Sequence, residues 1–149
     1  MALWRICRRA FAELDGEGAR RYGGRWNSEG VPVVYASTSL ALAALEYLVH
    51  LDVSMVPSDL VSVQLEVPAD VSMEQVEPAA LPIDWNATSD HPRCVDIGDD
   101  WIERAESCVL LVPSAVIPTS WNALLNPAHA DTRRVTTVTQ PFALDRRLV

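Results

Sequence analysis

Several short segments of the chain alternate hydrophobic and polar residues, which is the pattern of a strand with one buried face. The alternation is cleanest in DLVSVQLEVP, residues 59–68. The N-terminal segment also predicts a strand, in which Arg5 lies with Leu3 and Cys7 on one face. Further strand signals occur in the β-branched or apolar segments VPVVYAS (31–37), CVLLVPSAVIP (108–118) and VTTVTQPFALD (135–145).

A different pattern occupies residues 39–51, SLALAALEYLVHL, where the apolar positions cover almost every side of a helix. This pattern predicts a helix that is buried all round. Ser37, Thr38 or Ser39 is suited to cap its N-terminus, because a hydroxyl oxygen can accept a hydrogen bond from a free backbone N–H of the first turn.

The remaining segments give weaker signals. DDWIERAES, residues 99–107, predicts a short helix. The segment 16–30 contains five of the six glycines and is predicted to be a loop. The segment 70–98 is rich in proline, acidic residues and turn formers, so we expect an irregular surface region. The chain is thus predicted to be one α+β domain over 1–149, mostly β, with one prominent buried helix.

Glu46 is the acidic residue inside the apolar helix. Its helical neighbours three and four positions away are Leu42, Ala43, Val49 and His50. Glutamate is almost never fully buried unless it is paired, and an unpaired ionised carboxylate there would cost several kcal/mol. Glu46 is therefore expected either to face a water-filled cleft or to meet a cation. A structural ion pair with an arginine and a functional carboxylate both satisfy this condition.

Arg25 follows two glycines in RYGGRWNSEG. A glycine pair lets the backbone approach a ligand closely, and a planar guanidinium can grip a phosphate with two parallel hydrogen bonds. An ordinary turn with a solvated arginine has the same local sequence. The pattern by itself leaves both interpretations open.

Composition narrows the class of protein. With 149 residues, 49% of them hydrophobic, the chain can bury one sizeable core, and it contains neither an apolar run long enough to span a bilayer nor a signal-peptide pattern. We therefore expect a cytoplasmic protein without a membrane partner. The net charge of −8 argues against direct nucleic acid binding and suits a basic protein partner.

Cysteine and histidine spacing gives no sign of a metal site or a disulfide framework. The three cysteines are far apart in the sequence, and so are the three histidines. We expect the cysteines to be small buried hydrophobic residues, and we expect no metal cofactor.

Residues 23–51, GGRWNSEGVPVVYASTSLALAALEYLVHL, resemble the RES-domain toxin family, which is named for an arginine, a glutamate and a serine. The resemblance covers nearly the whole chain, and the region 70–98 contributes least to it. The other motifs that fit the family pattern, in order, are LWRI near the start, GDDWI, LLVPSAVIP, NALLNPAH and the terminal FALDRRL.

The resemblance implies a fold and an activity. The expected fold is α+β, with an ADP-ribosyltransferase-like split β core around a cleft for NAD+. Members of the family are toxins of bacterial toxin–antitoxin pairs, and they consume NAD+ by breaking the nicotinamide–ribose bond with water or phosphate, or by passing ADP-ribose to a protein. The implied partner is an Xre-like antitoxin that blocks the cleft, and the implied assembly contains a homodimer of the toxin.

Site residues follow from the same resemblance. Glu46, Arg25 and Ser114 are expected to be catalytic, and Arg5, Arg25, Tyr35 and Glu46 are expected to bind NAD+. The chemistry is consistent with these residue types, because breaking the nicotinamide–ribose bond builds positive charge on the ribose, which a carboxylate stabilises. Arginines suit the two phosphates, Tyr35 suits stacking or hydrogen bonding, and Ser114 suits a hydrogen bond to Glu46 or to a ribose hydroxyl.

Two other functions remain open at this point. The first keeps the chemistry but transfers ADP-ribose to a specific protein target. The second is a non-catalytic binding module in which Arg25 and Glu46 form a structural ion pair.

Overall fold

The computed structural model describes residues 1–87 and 91–149. These residues form seven strands that belong to a single sheet in the order β4-β5-β6-β2-β1-β3-β7. Neighbouring strands pair antiparallel throughout, except for the parallel pair of β4 and β5. The strands are β1 (Ala2–Arg8), β2 (Val34–Ser37), β3 (Leu60–Glu66), β4 (Met73–Gln75), β5 (Val109–Pro113), β6 (Trp121–Leu125) and β7 (Thr136–Pro141).

The described residues also form three α-helices. Helix α1 spans Glu17–Tyr22, α2 spans Leu40–Leu48 and α3 spans Pro92–Arg104. The predicted α+β fold class is confirmed, and the single mixed sheet is consistent with an ADP-ribosyltransferase-like core.

Each face of the sheet carries its own hydrophobic cluster. In an antiparallel sheet, directly opposed residues point to the same face, and successive residues point to opposite faces. One face presents the fully buried Val61, Val63 and Leu65 of β3 together with Leu3. The other face presents Leu110, Val112 and Leu124, which pack with residues of α3 and with Trp26, Trp85 and Trp101.

Helix α2 begins as the sequence predicts. The Ser39 hydroxyl oxygen accepts a hydrogen bond from the Leu42 backbone N–H at 3.1 Å. The expectation that this helix is buried all round is wrong, because Leu45 is 39% exposed and Val49 is 55% exposed. The helix buries Leu42 and Ala43 and leaves its opposite side open to solvent. Its apolar sequence had suggested full burial, although an apolar side chain at the surface is common in folded proteins.

Two segments that were predicted to be irregular contain regular structure. Within 16–30, helix α1 forms although it contains a glycine. The Glu17 carboxylate in its first turn accepts hydrogen bonds from Arg20 and Arg21, and these bonds lower the pKa of the Glu17 carboxyl to about 2. Within 70–98, β4 forms and α3 begins at Pro92, a residue type that suits the first turn of a helix. Residues 88–90 of that segment lie outside the described residues.

Helix α3 approaches the segment before β2 very closely at Gly98. A Cβ atom built on Gly98 would lie 1.7 Å from the Trp26 carbonyl oxygen. Only glycine leaves room for this contact. The approach brings the fully buried Trp101 against the sheet, where its indole N–H donates to the Ser107 hydroxyl at 2.8 Å.

Cys7, Cys94 and Cys108 are free and buried, as expected from their spacing, and burial raises the pKa of each thiol. None of the described helices is both long and apolar enough to cross a membrane.

Candidate functional site

The carboxylate of Glu46 is held by two neutral hydrogen-bond donors. Its Oε1 atom accepts a hydrogen bond from the Ser114 hydroxyl at 2.6 Å and another from the Asn122 side-chain amide at 2.6 Å. Ser114 directly follows β5 and Asn122 lies on β6, so two neighbouring strands fix one oxygen of the helix α2 carboxylate. Oε2 receives no hydrogen bond from residues 1–87 and 91–149 and remains available to a ligand.

Ser114 is itself oriented by the backbone that follows it. Its hydroxyl oxygen accepts hydrogen bonds from the N–H groups of Val116 at 3.1 Å and Ile117 at 3.0 Å. These two bonds use the lone pairs of the oxygen, so its hydroxyl proton points to Glu46. Ser114 is fully buried, and this arrangement is therefore shielded from competing water. The structure thus contains the hydrogen bond to Glu46 for which Ser114 was considered suitable.

Asn122 and Ser37 belong to the same network, although neither was predicted as a site residue. The two residues are directly opposed across β2 and β6, and the Ser37 hydroxyl donates to the Asn122 side-chain oxygen at 2.7 Å. The sequence did contain one signal for Ser37. It lies two residues after Tyr35 on a predicted strand, so the two side chains point to the same face. The pairing of β2 with β6 could not be read from the sequence.

Tyr35 lies on the same face of β2 as Ser37, and its hydroxyl is enclosed. It donates to the Asn27 side-chain oxygen at 2.6 Å and accepts from the Trp26 backbone N–H at 3.1 Å. A Cβ atom on Gly24 would lie 2.7 Å from this hydroxyl, which explains one glycine of the GGR sequence. Burial raises the pKa of the Tyr35 phenol well above its usual range. Tyr35 therefore holds the loop before β2 against the sheet.

Substituting Tyr35 with phenylalanine is expected to destabilise the fold by about 1–3 kcal/mol near neutral pH, because the Trp26 N–H and the Asn27 oxygen lose their partner. The wild-type phenol contributes stability that is fully present below the ordinary pKa of 10.0 and is lost as the pH rises from there towards the higher folded-state pKa. Melting temperatures measured from pH 7 to pH 11 should show this alkaline loss, which Tyr35→Phe should reduce. The exposed Tyr22 supplies the control, since Tyr22→Phe should match wild type throughout.

Arg25 does not contact Glu46. Its two terminal nitrogens donate to the backbone carbonyls of Trp85 at 2.8 Å and Ala87 at 2.8 Å. The ion pair between Arg25 and Glu46 that the binding-module alternative required is not formed, because each of the two side chains bonds to uncharged partners. A guanidinium carries five N–H donors, and these two bonds use only two of them. Arg25 can therefore bond the backbone of residues 85–87 and still bind an anion.

Arg5 lies on the opposite face of the sheet from the Glu46 network. The register pairs Trp4 with Ser37, and alternation then turns Arg5 away from Ser37, beside Leu3 and Cys7. Its guanidinium donates to the Glu13 carbonyl at 3.3 Å. The structure thus brings Glu46 and Ser114 together and places Tyr35 on the same sheet face, but it does not bring Arg5 to them.

The RES domain is the family whose sequence model matches this chain, over residues 2–147. The chain belongs to the RES domain family. Two curated relatives are similar to it over most of their length. "Prs ADP-ribosylating toxin" from Sphingobium sp. (strain YBL2) is 39% identical over 140 residues, which are 90% of this chain and 87% of the relative. "Toxin Res" from Photorhabdus laumondii is 37% identical over 153 aligned positions, which cover 100% of this chain and 97% of the relative.

A solved structure shares the fold of this RES domain. The crystal structure of the M. tuberculosis MbcT–MbcA toxin–antitoxin complex contains a chain that matches with a TM-score of 0.77 at 19% identity. The match covers 95% of this chain and 83% of that one. The similarity establishes a shared architecture.

The site of this RES domain consists of oxygen and nitrogen groups from helix α2 and the strands β2, β5 and β6. No cluster of three or more histidine, cysteine, aspartate or glutamate side chains suited to a metal ion occurs in the part of the chain that the structure describes. The arrangement presents a carboxylate whose position is fixed and whose charge is not neutralised by a cation among its hydrogen-bond partners. Such a group can stabilise positive charge that develops on a bound molecule.

Proposed function

We propose that this protein is the toxin of a toxin–antitoxin pair and that it consumes NAD+ by cleaving the nicotinamide–ribose bond. The observation that carries the proposal is the Glu46 carboxylate, which Ser114 and Asn122 hold through one oxygen while the other oxygen remains available. The names of relatives with 37–39% identity, "Toxin Res" and "Prs ADP-ribosylating toxin", support a toxin that acts on NAD+.

The reaction places a clear demand on the site. The bond between the nicotinamide nitrogen and the ribose breaks, its electron pair goes to the ring nitrogen, and neutral nicotinamide leaves. Positive charge develops on the ribose, and Glu46 stabilises it through Oε2 or by binding a ribose hydroxyl. Water or phosphate then adds to the ribose and releases a proton, which yields ADP-ribose or its phosphate ester.

Arg25 is the candidate for the pyrophosphate of NAD+ in this proposal. It lies next to Trp26, whose N–H bonds Tyr35, and Tyr35 shares a strand face with Ser37. Arg25 and Glu46 thus belong to the same side of the sheet, where one extended ligand can reach both. Arg5 has no part in this arrangement.

Transfer of ADP-ribose to a protein is the second candidate function, and the name of the Sphingobium relative favours it. The same cleavage precedes both outcomes, and only the acceptor differs. The proposed cellular partner is an Xre-like antitoxin that covers the site. The similarity in fold to the toxin–antitoxin complex is compatible with such a partner.

A cell-free translation of the chain, which avoids toxicity to an expression host, supplies protein for the test. The protein is incubated with NAD+ labelled in the adenylate phosphate, with and without phosphate, and with a bacterial lysate. We expect nicotinamide release together with labelled ADP-ribose or its phosphate ester. A labelled protein band without free product would assign the transferase function, and no nicotinamide release under any condition would overturn the proposal.

A further inference from the structure

Asn122 is the member of the Glu46 network that bonds at both ends of its side chain. Its amide nitrogen donates to Glu46 Oε1, and its amide oxygen accepts from the Ser37 hydroxyl. Both of its polar ends are therefore bonded to side chains of one continuous segment, because Ser37 ends β2 and Glu46 lies on the helix that follows. The amide on β6 thus links the end of β2 to the helix that follows it.

The orientation of the amide is determined by the Glu46 carboxylate. If the amide were reversed, its oxygen would face a carboxylate oxygen at 2.6 Å, which is strongly repulsive. The Ser37 hydroxyl can donate to the amide oxygen in the observed orientation, and Ser37 is only 3% exposed, so water does not readily replace it. The Glu46 carboxylate, which can only accept, thus fixes the orientation of the amide, and Ser37 holds the amide from its other end.

We propose that Asn122 is a positioning residue for the reaction, that it acts through Glu46, and that Ser37 acts in turn through Asn122. This inference rests on the proposed function. Two donors from different directions, Ser114 and Asn122, leave Oε1 little freedom to rotate. Oε2 is then held at the position where it meets the ribose of the bound substrate.

The physical reason for a neutral amide at this position is charge. An arginine or lysine would orient Glu46 equally well, but its positive charge would oppose the positive charge that develops on the ribose. Asparagine provides a donor without a net charge. The loss of this donor should therefore reduce the rate of the chemical step more than the binding of NAD+.

The test measures initial rates of nicotinamide release against NAD+ concentration for wild type, Asn122→Ala, Ser37→Ala and the double variant. We expect Asn122→Ala to lower kcat by about 10- to 100-fold with KM within about 3-fold of wild type. Ser37→Ala should lower kcat by about 5-fold, which corresponds to one hydrogen bond. The double variant should be no slower than Asn122→Ala, because Ser37 acts through Asn122.

The control for losing a buried hydroxyl is Ser107→Ala. Ser107 is 3% exposed, as Ser37 is, and its hydroxyl donates to Glu74 at 2.6 Å. This variant should lower the melting temperature without changing kcat. A folded Asn122→Ala protein with wild-type kcat would overturn the inference, and if that variant does not fold, a wild-type kcat for Ser37→Ala would do so. An inactive wild type would instead overturn the proposed function, and the inference with it.

Discussion

Replacing Glu46 with glutamine is expected to lower the rate of NAD+ consumption by about 100- to 1,000-fold while the fold is retained. The substituted side chain has the same size, and its amide oxygen can accept the bonds that Ser114 and Asn122 now donate to Oε1. What disappears is the negative charge that stabilises the ribose in the transition state. The free energy of unfolding should change by less than about 1 kcal/mol.

The chain offers a matched control for this experiment in Glu74. This glutamate also accepts a hydrogen bond of 2.6 Å from a buried serine, Ser107, and it lies on the edge strand β4, outside the Glu46 network. Glu74→Gln should leave NAD+ consumption unchanged. The measurements are cellular NAD+ after brief induction and nicotinamide release by the purified chain, with melting temperatures for all three proteins. Wild-type toxicity in the Glu46→Gln strain would refute the proposal that Glu46 is the catalytic carboxylate.

Replacing Gly98 with alanine is expected to destabilise the protein by about 3 kcal/mol, near the upper end for an overpacked core. The added Cβ would meet the Trp26 carbonyl oxygen at 1.7 Å, and neither backbone can yield without moving α3 away from the sheet. The higher helix propensity of alanine, about 1 kcal/mol, offsets only part of this cost. For a chain of this size, the melting temperature should fall by roughly 6–12 °C.

Gly18 is the control for the glycine substitution, because it is also helical. A Cβ on Gly18 would lie 3.6 Å from the Phe11 ring, which is an ordinary contact, so Gly18→Ala should raise stability by up to about 1 kcal/mol. Thermal unfolding of the two variants and wild type by circular dichroism makes the comparison. A Gly98→Ala protein with the melting temperature of wild type would contradict the prediction, because it would show that α3 can move away from Trp26 at little cost.

The partners of Glu46 suggest how the site combines order with reactivity. A buried arginine would have fixed the carboxylate but would also have cancelled much of its charge. The hydroxyl of Ser114 and the amide of Asn122 fix its position and carry no net charge. Arg25 instead donates to the backbone carbonyls of Trp85 and Ala87, so its positive charge is not paired with the carboxylate.

Local sequence was sufficient to single out Glu46 as a candidate site residue. Glu46 was recognisable because an acid inside an apolar helix requires a polar partner or solvent, whatever the rest of the fold. The helix start was predicted to within three residues, Ser37, Thr38 or Ser39, since capping depends on neighbouring residues, and the structure selects Ser39. The assignment of Ser114 depended on family resemblance, because a serine at a strand end is common.

Long-range pairing was the part that local sequence did not reveal. Nothing near Asn122 in the sequence indicates that Ser37 faces it across a strand pair or that Glu46 lies above it. The face of the sheet on which Arg5 lies was not evident from the sequence for a related reason. Its strand was predicted correctly, but which face of that strand meets the site depends on the pairing of Trp4 with Ser37.

The sequence by itself therefore determined the family, the α+β class, the alternation of most strands and the presence of one carboxylate within the apolar helix. Each of these depends on residue type and on spacing along a short segment. Only the tertiary structure decided that neutral donors rather than Arg25 hold Glu46, that Asn122 and Ser37 join its network, and that Arg5 lies on the other face. These contacts join residues as far as 85 positions apart, and the order and register of the strands set them.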